Sequence, residues 1–429
     1  MDNYTSMLSF LSTDEALERL KALYGSREAE LKRQAARYAG LVKKHEALFR
    51  SSGRVLMVSA PGRIEIAGNH TDHNNGRVLA AAVSLDCLAA VTPRRDMKVR
   101  VHSEGFSPVE TDLTDTAVRE EDKGTSASLI RGVADGMKQN GMKIGGFDAV
   151  VTSDVVTGSG LSSSAAYEVM IAQILDALYN GRTLDPILRA RIAQYAENVH
   201  FGKPSGLMDQ MASSVGGMVT IDFKDEPRVE GLPFRFSNSG YDIVVVNTGS
   251  SHDNLTDEYA SIRLEMNEVA AFFGKSVLRQ VDAGDVWRNL KALRERLGER
   301  PVLRAIHYFN ENERVGKLVE DVKIGDAERV LEGMIASGDS SQKLLQNVYV
   351  VGRSQPMTLA LTLAESMLKG KGAWRVHGGG FAGTTLNVVP RDMTEEFTRR
   401  MNEVFGDGAC FILDVRPEGG TVALESPEM

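Results

Sequence analysis

Asp154-Val155-Val156-Thr157-Gly158-Ser159-Gly160-Leu161-Ser162-Ser163-Ser164-Ala165-Ala166 is the stretch from which the fold is read. It follows a strand-like run, Phe147-Asp148-Ala149-Val150-Val151, and opens a helical pattern from Ser163 to Tyr179. Two glycines let the backbone curl tightly, so the serines and the first helical N–H groups face one point. Such a helix N-terminus is an anion site, and phosphate is its usual occupant. The loop is not a Walker A sequence, because no Gly-Lys-Ser/Thr follows, and it lacks the third glycine of a dinucleotide fingerprint.

Outward from this loop the texture stays mixed. Upstream, Val55-Leu56-Met57-Val58 reads as a strand running into Ala60-Pro61-Gly62-Arg63. Short β-like runs follow at 78–88, 88–92 and 98–102, then a helix near 128–140. Downstream, a helix covers about 188–201, and Gly216-Gly217 mark a turn before the strand Met218–Phe223. From about Glu226, a strand at 241–247 begins a second series of helices and strands, with 386–389 and 411–415 as two arms of a late sheet. The pattern predicts two α+β domains, 53–225 and 226–429, behind a helical leader over 1–52. In the leader, Ser12-x-x-Glu15 has capping-box spacing, Leu17, Leu20 and Leu23 recur at helical intervals, and Gly25 is a stop. A second stripe runs Leu31, Ala35, Tyr38, Val42, His45, Leu48. The leader carries no recognisable chemistry and reads as a packing appendage or a dimer contact.

Composition narrows the class. With 42% hydrophobic and 25% charged residues in a chain of 429, the protein is of ordinary globular type. A net charge of −8 argues against nucleic acid or an anionic membrane surface as partner. Cys87 and Cys410 are far apart and read as reduced thiols rather than a disulfide framework or zinc site. The sequence shows no basic signal region and no run of the about 20 apolar residues that a membrane span needs, so a soluble cytoplasmic protein is expected. Its oligomeric state stays open between monomer and homodimer.

Three further stretches stand in order around the glycine-serine loop. They are Pro61-Gly62-Arg63-Ile64-Glu65-Ile66-Ala67-Gly68-Asn69-His70-Thr71-Asp72-His73-Asn74-Asn75-Gly76, Ser205-Gly206-Leu207-Met208-Asp209-Gln210, and His377-Gly378-Gly379-Gly380-Phe381-Ala382-Gly383-Thr384. Together the four resemble the motifs of the GHMP kinase superfamily, and the first resembles that of galactokinases in particular. The resemblance covers roughly residues 53 to 429 and implies the two-domain GHMP fold. In that fold a ribosomal protein S5 domain 2-like N-terminal domain is joined to an α/β-sandwich C-terminal domain, with the active site between them.

The resemblance also implies roles. Asp209 matches the aspartate placed against the sugar's anomeric hydroxyl, where a carboxylate accepts the proton as the oxygen attacks the γ-phosphorus of ATP. Arg63 matches the arginine beside it, whose fixed charge keeps Asp209 ionised. Asn69, His70, Asp72, Gly206 and Tyr259 fall at sugar-pocket positions, Tyr259 reaching across from the second domain. Gly158, Ser159, Gly160, Leu161, Ser162, Ser163 and Ser164 form the nucleotide loop. Ser164 and Glu197 match the pair that contacts Mg²⁺, which favours hard oxygen ligands. His70 and His73 have i, i+3 spacing, but zinc would need further converging ligands.

The match breaks at Asn69, where galactokinases carry a glutamate that accepts from the hydroxyl at C6 of galactose. Asparagine keeps an acceptor and gains a donor, so a sugar with a carboxylate at C6 is no longer repelled. Plant galacturonate kinases resemble this chain in lacking that glutamate and in having His after Asp. The sequence therefore implies a MgATP-dependent galactose 1-kinase, with galacturonate or another C6-modified galactose as the alternative substrate. A non-catalytic sugar sensor is a third reading, opposed by the retention of Arg63, Ser164, Glu197 and Asp209. Val156 replaces a proline before the nucleotide loop, and 126–132 lacks the aromatic residues that galactokinases often place near the nucleotide.

Overall fold

The computed structural model describes residues 3–155, 160–249, 255–381 and 383–426. In chain order the strands of the first sheet begin with β1 (Leu56–Ala67), β2 (Arg77–Pro93), β3 (Lys98–Ser103), β4 (Val109–Asp112), β5 (Phe147–Ser153), β6 (Met218–Asp222) and β7 (Arg228–Leu232). A second sheet follows from β8 (Tyr241–Asn247), β9 (Ala373–Val376), β10 (Thr384–Pro390) and β11 (Cys410–Leu413). The last strand, β12 (Thr421–Glu425), returns to the first sheet and pairs antiparallel with β1. The first sheet runs β12-β1-β2-β5-β3-β4, with β6 and β7 added along β2, and the second runs β11-β8-β10-β9.

Three expectations shift. β2 is one strand through Leu88 rather than two runs, because it pairs with β1 on one side and with β5 and β6 on the other. The predicted late arms lie on either side of β8 instead of beside each other. The division at 225/226 is crossed twice, since both β7 and β12 hydrogen-bond into the first sheet. A boundary read from texture follows chain order, whereas pairing follows which strand edge is open.

Side chains alternate across each strand, so each sheet has two faces to cover. On the first sheet, Leu56, Val58, Cys87, Ala89 and Val91 pack with Ile130, Val133, Ala166 and Met170 from the helices Ser126–Gln139 and Ser163–Tyr179. Their neighbours Val55, Met57, Leu88 and Ala90 pack on the leader's Tyr4, Met7, Leu20, Leu23, Tyr38 and Val42. All twelve residues of β1 are buried, so the strand is covered on both faces. The leader is therefore a third layer. Its helices span Asn3–Phe10, Asp14–Tyr24 and Glu28–Phe49. The cap of the second is Thr13, whose hydroxyl accepts from Ala16 N at 3.3 Å, one residue after the predicted Ser12.

Beneath the leader lies Asp86, fully buried on β2. Arg37 reaches it at 2.6 Å and Arg416 at 3.1 Å, the Tyr24 hydroxyl donates at 2.5 Å, and Ser59 donates as well. Burial alone would raise the Asp86 pKa, but the two arginines and the hydroxyls outweigh it and hold the carboxyl below its ordinary 3.8. This stabilisation is complete above that pH and is lost as pH falls below it. Arg37→Ala strips one cation from a buried carboxylate and is expected to cost about 3–5 kcal/mol in urea unfolding, with acid unfolding moved to higher pH. A loss under about 1 kcal/mol would mean that the leader does not hold this charge.

Candidate active site

The β1–β2 ladder shifts register between Pro61 and Arg63. Such an irregularity re-aims the side chain that follows. A Cβ at Gly62 would lie 2.9 Å from Leu161 O, so the strand can press against the nucleotide loop only with glycine there. Arg63 N donates to Leu161 O at 3.2 Å, and its Nη1 donates to Gly160 O. Nε and Nη2 then meet Asp209 Oδ1 and Oδ2 at 2.8 and 2.9 Å, a two-point pairing of guanidinium with carboxylate. Ser162, held at φ 62 at the mouth of the helix Ser163–Tyr179, spends its hydroxyl on Asp209 rather than on capping. Burial pushes Asp209 up, but Arg63 and Ser162 win, so its pKa lies below the ordinary value. Three of a carboxylate's roughly four acceptor positions are thus filled. The side chain remains 33% exposed, leaving the last position open.

Asp209 stands in the first turn of the helix Met208–Val215. Just before it, Gly206 lies so close to Asp72 that an added Cβ would fall on Oδ2. Burial raises the Asp72 pKa; His70 opposes and the Asp209 charge adds to the rise. The two carboxyls are thereby driven apart in acidity. His70 adopts φ 56 and its Nε2 bonds Gly379 O at 2.9 Å, while the Tyr259 hydroxyl donates to Gly380 O at 2.7 Å. Both side chains thus rest on the glycine-rich third motif.

Asn69 is the departure from expectation. It is 1% exposed, and its amide nitrogen donates to Gly378 O at 2.8 Å. Its oxygen accepts from Asn347 Nδ2 at 2.7 Å and Ser341 Oγ at 3.3 Å. The buried amide is thus engaged by protein through both its nitrogen and its oxygen. Sequence assigns Asn69 to the sugar; the structure gives it to the seam between the first and third motifs, because two buried loops there need their polar groups met. His73 is half-buried and held neutral, its pKa lowered to about 3 mainly by desolvation and then by His70.

Glu197 sits in the π-helical turn Ala196–Phe201, a form of helix often found at functional sites. Ser164 Oγ donates to its Oε1 at 2.9 Å and Gln210 Nε2 to its Oε2 at 2.7 Å. Gln210 also reaches Glu168 Oε2 at 3.2 Å, leaving Glu168 Oε1 and Gln210 Oε1 buried without a partner. Buried orphan oxygens beside a carboxylate and a hydroxyl are a donor set that fits a hard divalent cation. Among the described residues no group of three or more His, Cys, Asp or Glu is arranged to hold a metal.

Arg63, Gly160, Leu161, Ser162 and Asp209 are in mutual contact, as are Asp72 with Gly206, Ser164 with Glu197, and Asn69, His70 and Tyr259 with the third motif. Ser163 opens the helix. Gly158 and Ser159, and the departure at Val156, lie outside the described residues. Glu168, Gln210 and Asn347 were missed. Glu168 follows Ser164 by four, a helical neighbour that could have been noticed; Asn347 carries no such signal.

Two family models match: the galactokinase galactose-binding signature over residues 43–93 and the GHMP kinases N terminal domain over 128–217. Galactokinase of Streptomyces coelicolor is 32% identical over 354 residues, covering 81% of this chain and 88% of the relative. That of Pyrococcus furiosus is 31% identical, covering 79% and 90%. Among solved structures, Lactococcus lactis galactokinase complexed with galactose superposes with a TM-score of 0.76 at 23% identity, covering 89% of this chain and 98% of that one. Methanococcus jannaschii mevalonate kinase gives 0.61 at 12% identity, covering 84% and 98%, which extends the likeness of fold across the superfamily. No helix among the described residues is long and apolar enough to cross a membrane. With a GHMP fold and two galactokinases above 30% identity over most of its length, the chain belongs to the galactokinase family and is a sugar kinase of that type.

Proposed function

We propose that the protein transfers the γ-phosphoryl group of MgATP to the anomeric hydroxyl of galactose. The observation that carries this reading is the Asp209 carboxylate, fixed at two points by Arg63 with one acceptor position open. In that position it receives the hydroxyl proton while the sugar oxygen bonds to the γ-phosphorus and the bond to the β-phosphate oxygen breaks. With its pKa held down, Asp209 is a weak base, so proton transfer comes late and orientation of the hydroxyl matters more. Arg63 stays paired throughout and offsets charge gathering on the transferring group. Asp72, against Gly206, accepts from two adjacent sugar hydroxyls, and His70 and Tyr259 brace the third motif as the pocket wall. ATP phosphates lie along the nucleotide loop and the first turn of Ser163–Tyr179, whose N–H groups lack helical partners. Ser164 and Glu197 would hold Mg²⁺, which supplies charge neutralisation for the phosphates.

Galactose as substrate is supported by the galactokinases that the chain resembles. The galacturonate alternative rests on Asn69, and its engagement by Gly378, Asn347 and Ser341 weighs against a contact to a C6 carboxylate. ADP release with MgATP and galactose, galacturonate, glucose, N-acetylgalactosamine or arabinose tests the reading. Galactose should lead; a lead by galacturonate would reverse the choice of substrate.

Two variants probe the chemistry. Asp209→Asn should bind galactose in calorimetry with little change while kcat falls about 10²–10⁴-fold; near-normal turnover would remove Asp209 as the proton acceptor. Arg63→Gln removes the charge that opposes burial of Asp209. Its acid limb in kcat/KM should therefore move to higher pH than in the parent, and a limb that stays in place would separate Arg63 from the acidity of Asp209.

A further inference from the structure

One cation near this site has no role in the reaction as described. Lys203 follows the π-helical turn that bears Glu197, and at Gly202 (φ 84) the chain reverses so that the N–H groups of both Gly202 and Lys203 donate to Glu197 O. Asn198 Oδ1 accepts from Ser205 N at 2.7 Å and pins the returning loop. The Lys203 ammonium is thereby brought to 3.1 Å from Glu197 Oε1, the same oxygen that accepts the Ser164 hydroxyl. Glu197 is 3% exposed, whereas the Lys203 side chain is 61% exposed and free to take other rotamers. The ammonium also lies in the field of Asp209 and Glu168.

A divalent ion and an ammonium repel each other and compete for the same carboxylate oxygen at close range. Metal arrival therefore favours departure of the Lys203 ammonium from Glu197 Oε1. The backbone of Lys203 is held to Glu197 O on the short loop that leads to Asp209, so the charge stays near the site. The negative group that enters together with the metal is the nucleotide's phosphate chain. We propose that Lys203 exchanges partners: it is the counter-ion of the Glu197 carboxylate in the metal-free protein and a contact to the terminal phosphate once MgATP is bound. Lys203 is then a third cationic contributor beside Arg63 and the metal, and it touches the group being transferred. This inference rests on the assignment of Ser164 and Glu197 to the metal.

Lys203→Met and Lys203→Arg test both halves. With nucleotide absent, Mn²⁺ is titrated against the full-length protein and free Mn²⁺ is read by electron paramagnetic resonance. Lys203→Met should bind Mn²⁺ several-fold more tightly, because the ion no longer displaces an ammonium. With MgATP and galactose, the same variant should lose on the order of ten-fold or more in kcat with the KM for galactose unchanged, and Lys203→Arg should recover part of the loss. Unchanged or weaker Mn²⁺ binding overturns the counter-ion half, and unchanged kcat overturns the phosphate contact; either result sinks the exchange. Absence of turnover with any sugar in the parent protein would instead sink the kinase reading, while the Mn²⁺ titration would still report on Lys203 and Glu197.

Discussion

The burial of the Asp86 charge is the constraint around which the first domain is arranged. A carboxylate with no exposure must be met by cations and donors, and here they arrive from the leader (Arg37, Tyr24), from β1 (Ser59) and from the segment before β12 (Arg416). Replacing such a cluster with apolar groups can leave a protein no less stable, so its worth lies in what it specifies. It admits one arrangement of three distant stretches. The same node touches the nucleotide loop, since Asp154 N donates to Asp86 O at 2.9 Å while Arg33 and Arg37 hold the Asp154 carboxylate at 2.7 and 3.2 Å. Leader and nucleotide loop are thus linked through two acids on neighbouring strands.

The second organising feature is the seam between the first and third motifs. Glycine-rich loops offer carbonyls without side chains to cover them, and Gly378, Gly379 and Gly380 have theirs met by Asn69, His70 and Tyr259. His307 adds a contact of 2.9 Å from Nε2 to Asn69 O. Glu311 accepts from Gly68 N at 2.9 Å and Arg375 bonds the buried Glu65 at 3.3 Å. The wall of the proposed pocket is in large part backbone, held in shape by residues one layer back. In that reading a change at one of these supports acts on the substrate through geometry rather than through a lost contact.

What could be read from the sequence was whatever is local or stands in a motif. The strand–loop–helix around Gly160, the pairing of Arg63 with Asp209 and the joining of Ser164 to Glu197 belong to this class. Asn69 was legible as unusual but not as inward-facing. Its partner Asn347 lies 278 residues away, and nothing in either neighbourhood announces the other. The leader read as an appendage because its stripes look like those of any amphipathic helix. The clue that it covers a sheet face was in Leu56–Val58 of β1 and in Val78–Val83 and Cys87–Val91 of β2, apolar runs that do not alternate as a one-sided strand would. The placement of β12 had no local mark, since strand pairing depends on which edge is left open once the others have assembled.

That last strand has a consequence for how the molecule is made. Synthesis proceeds from the N-terminus, and domains generally fold as they emerge from the ribosome. Here the first domain cannot close in that order. Until residues beyond 415 emerge, Asp86 lacks Arg416 and the outer edge of β1 lacks its partner, while the whole second sheet must already have left the exit tunnel. Closure of the first sheet thus draws on residues 416–425, which follow every strand of the second sheet along the chain, so the two sheets are completed together.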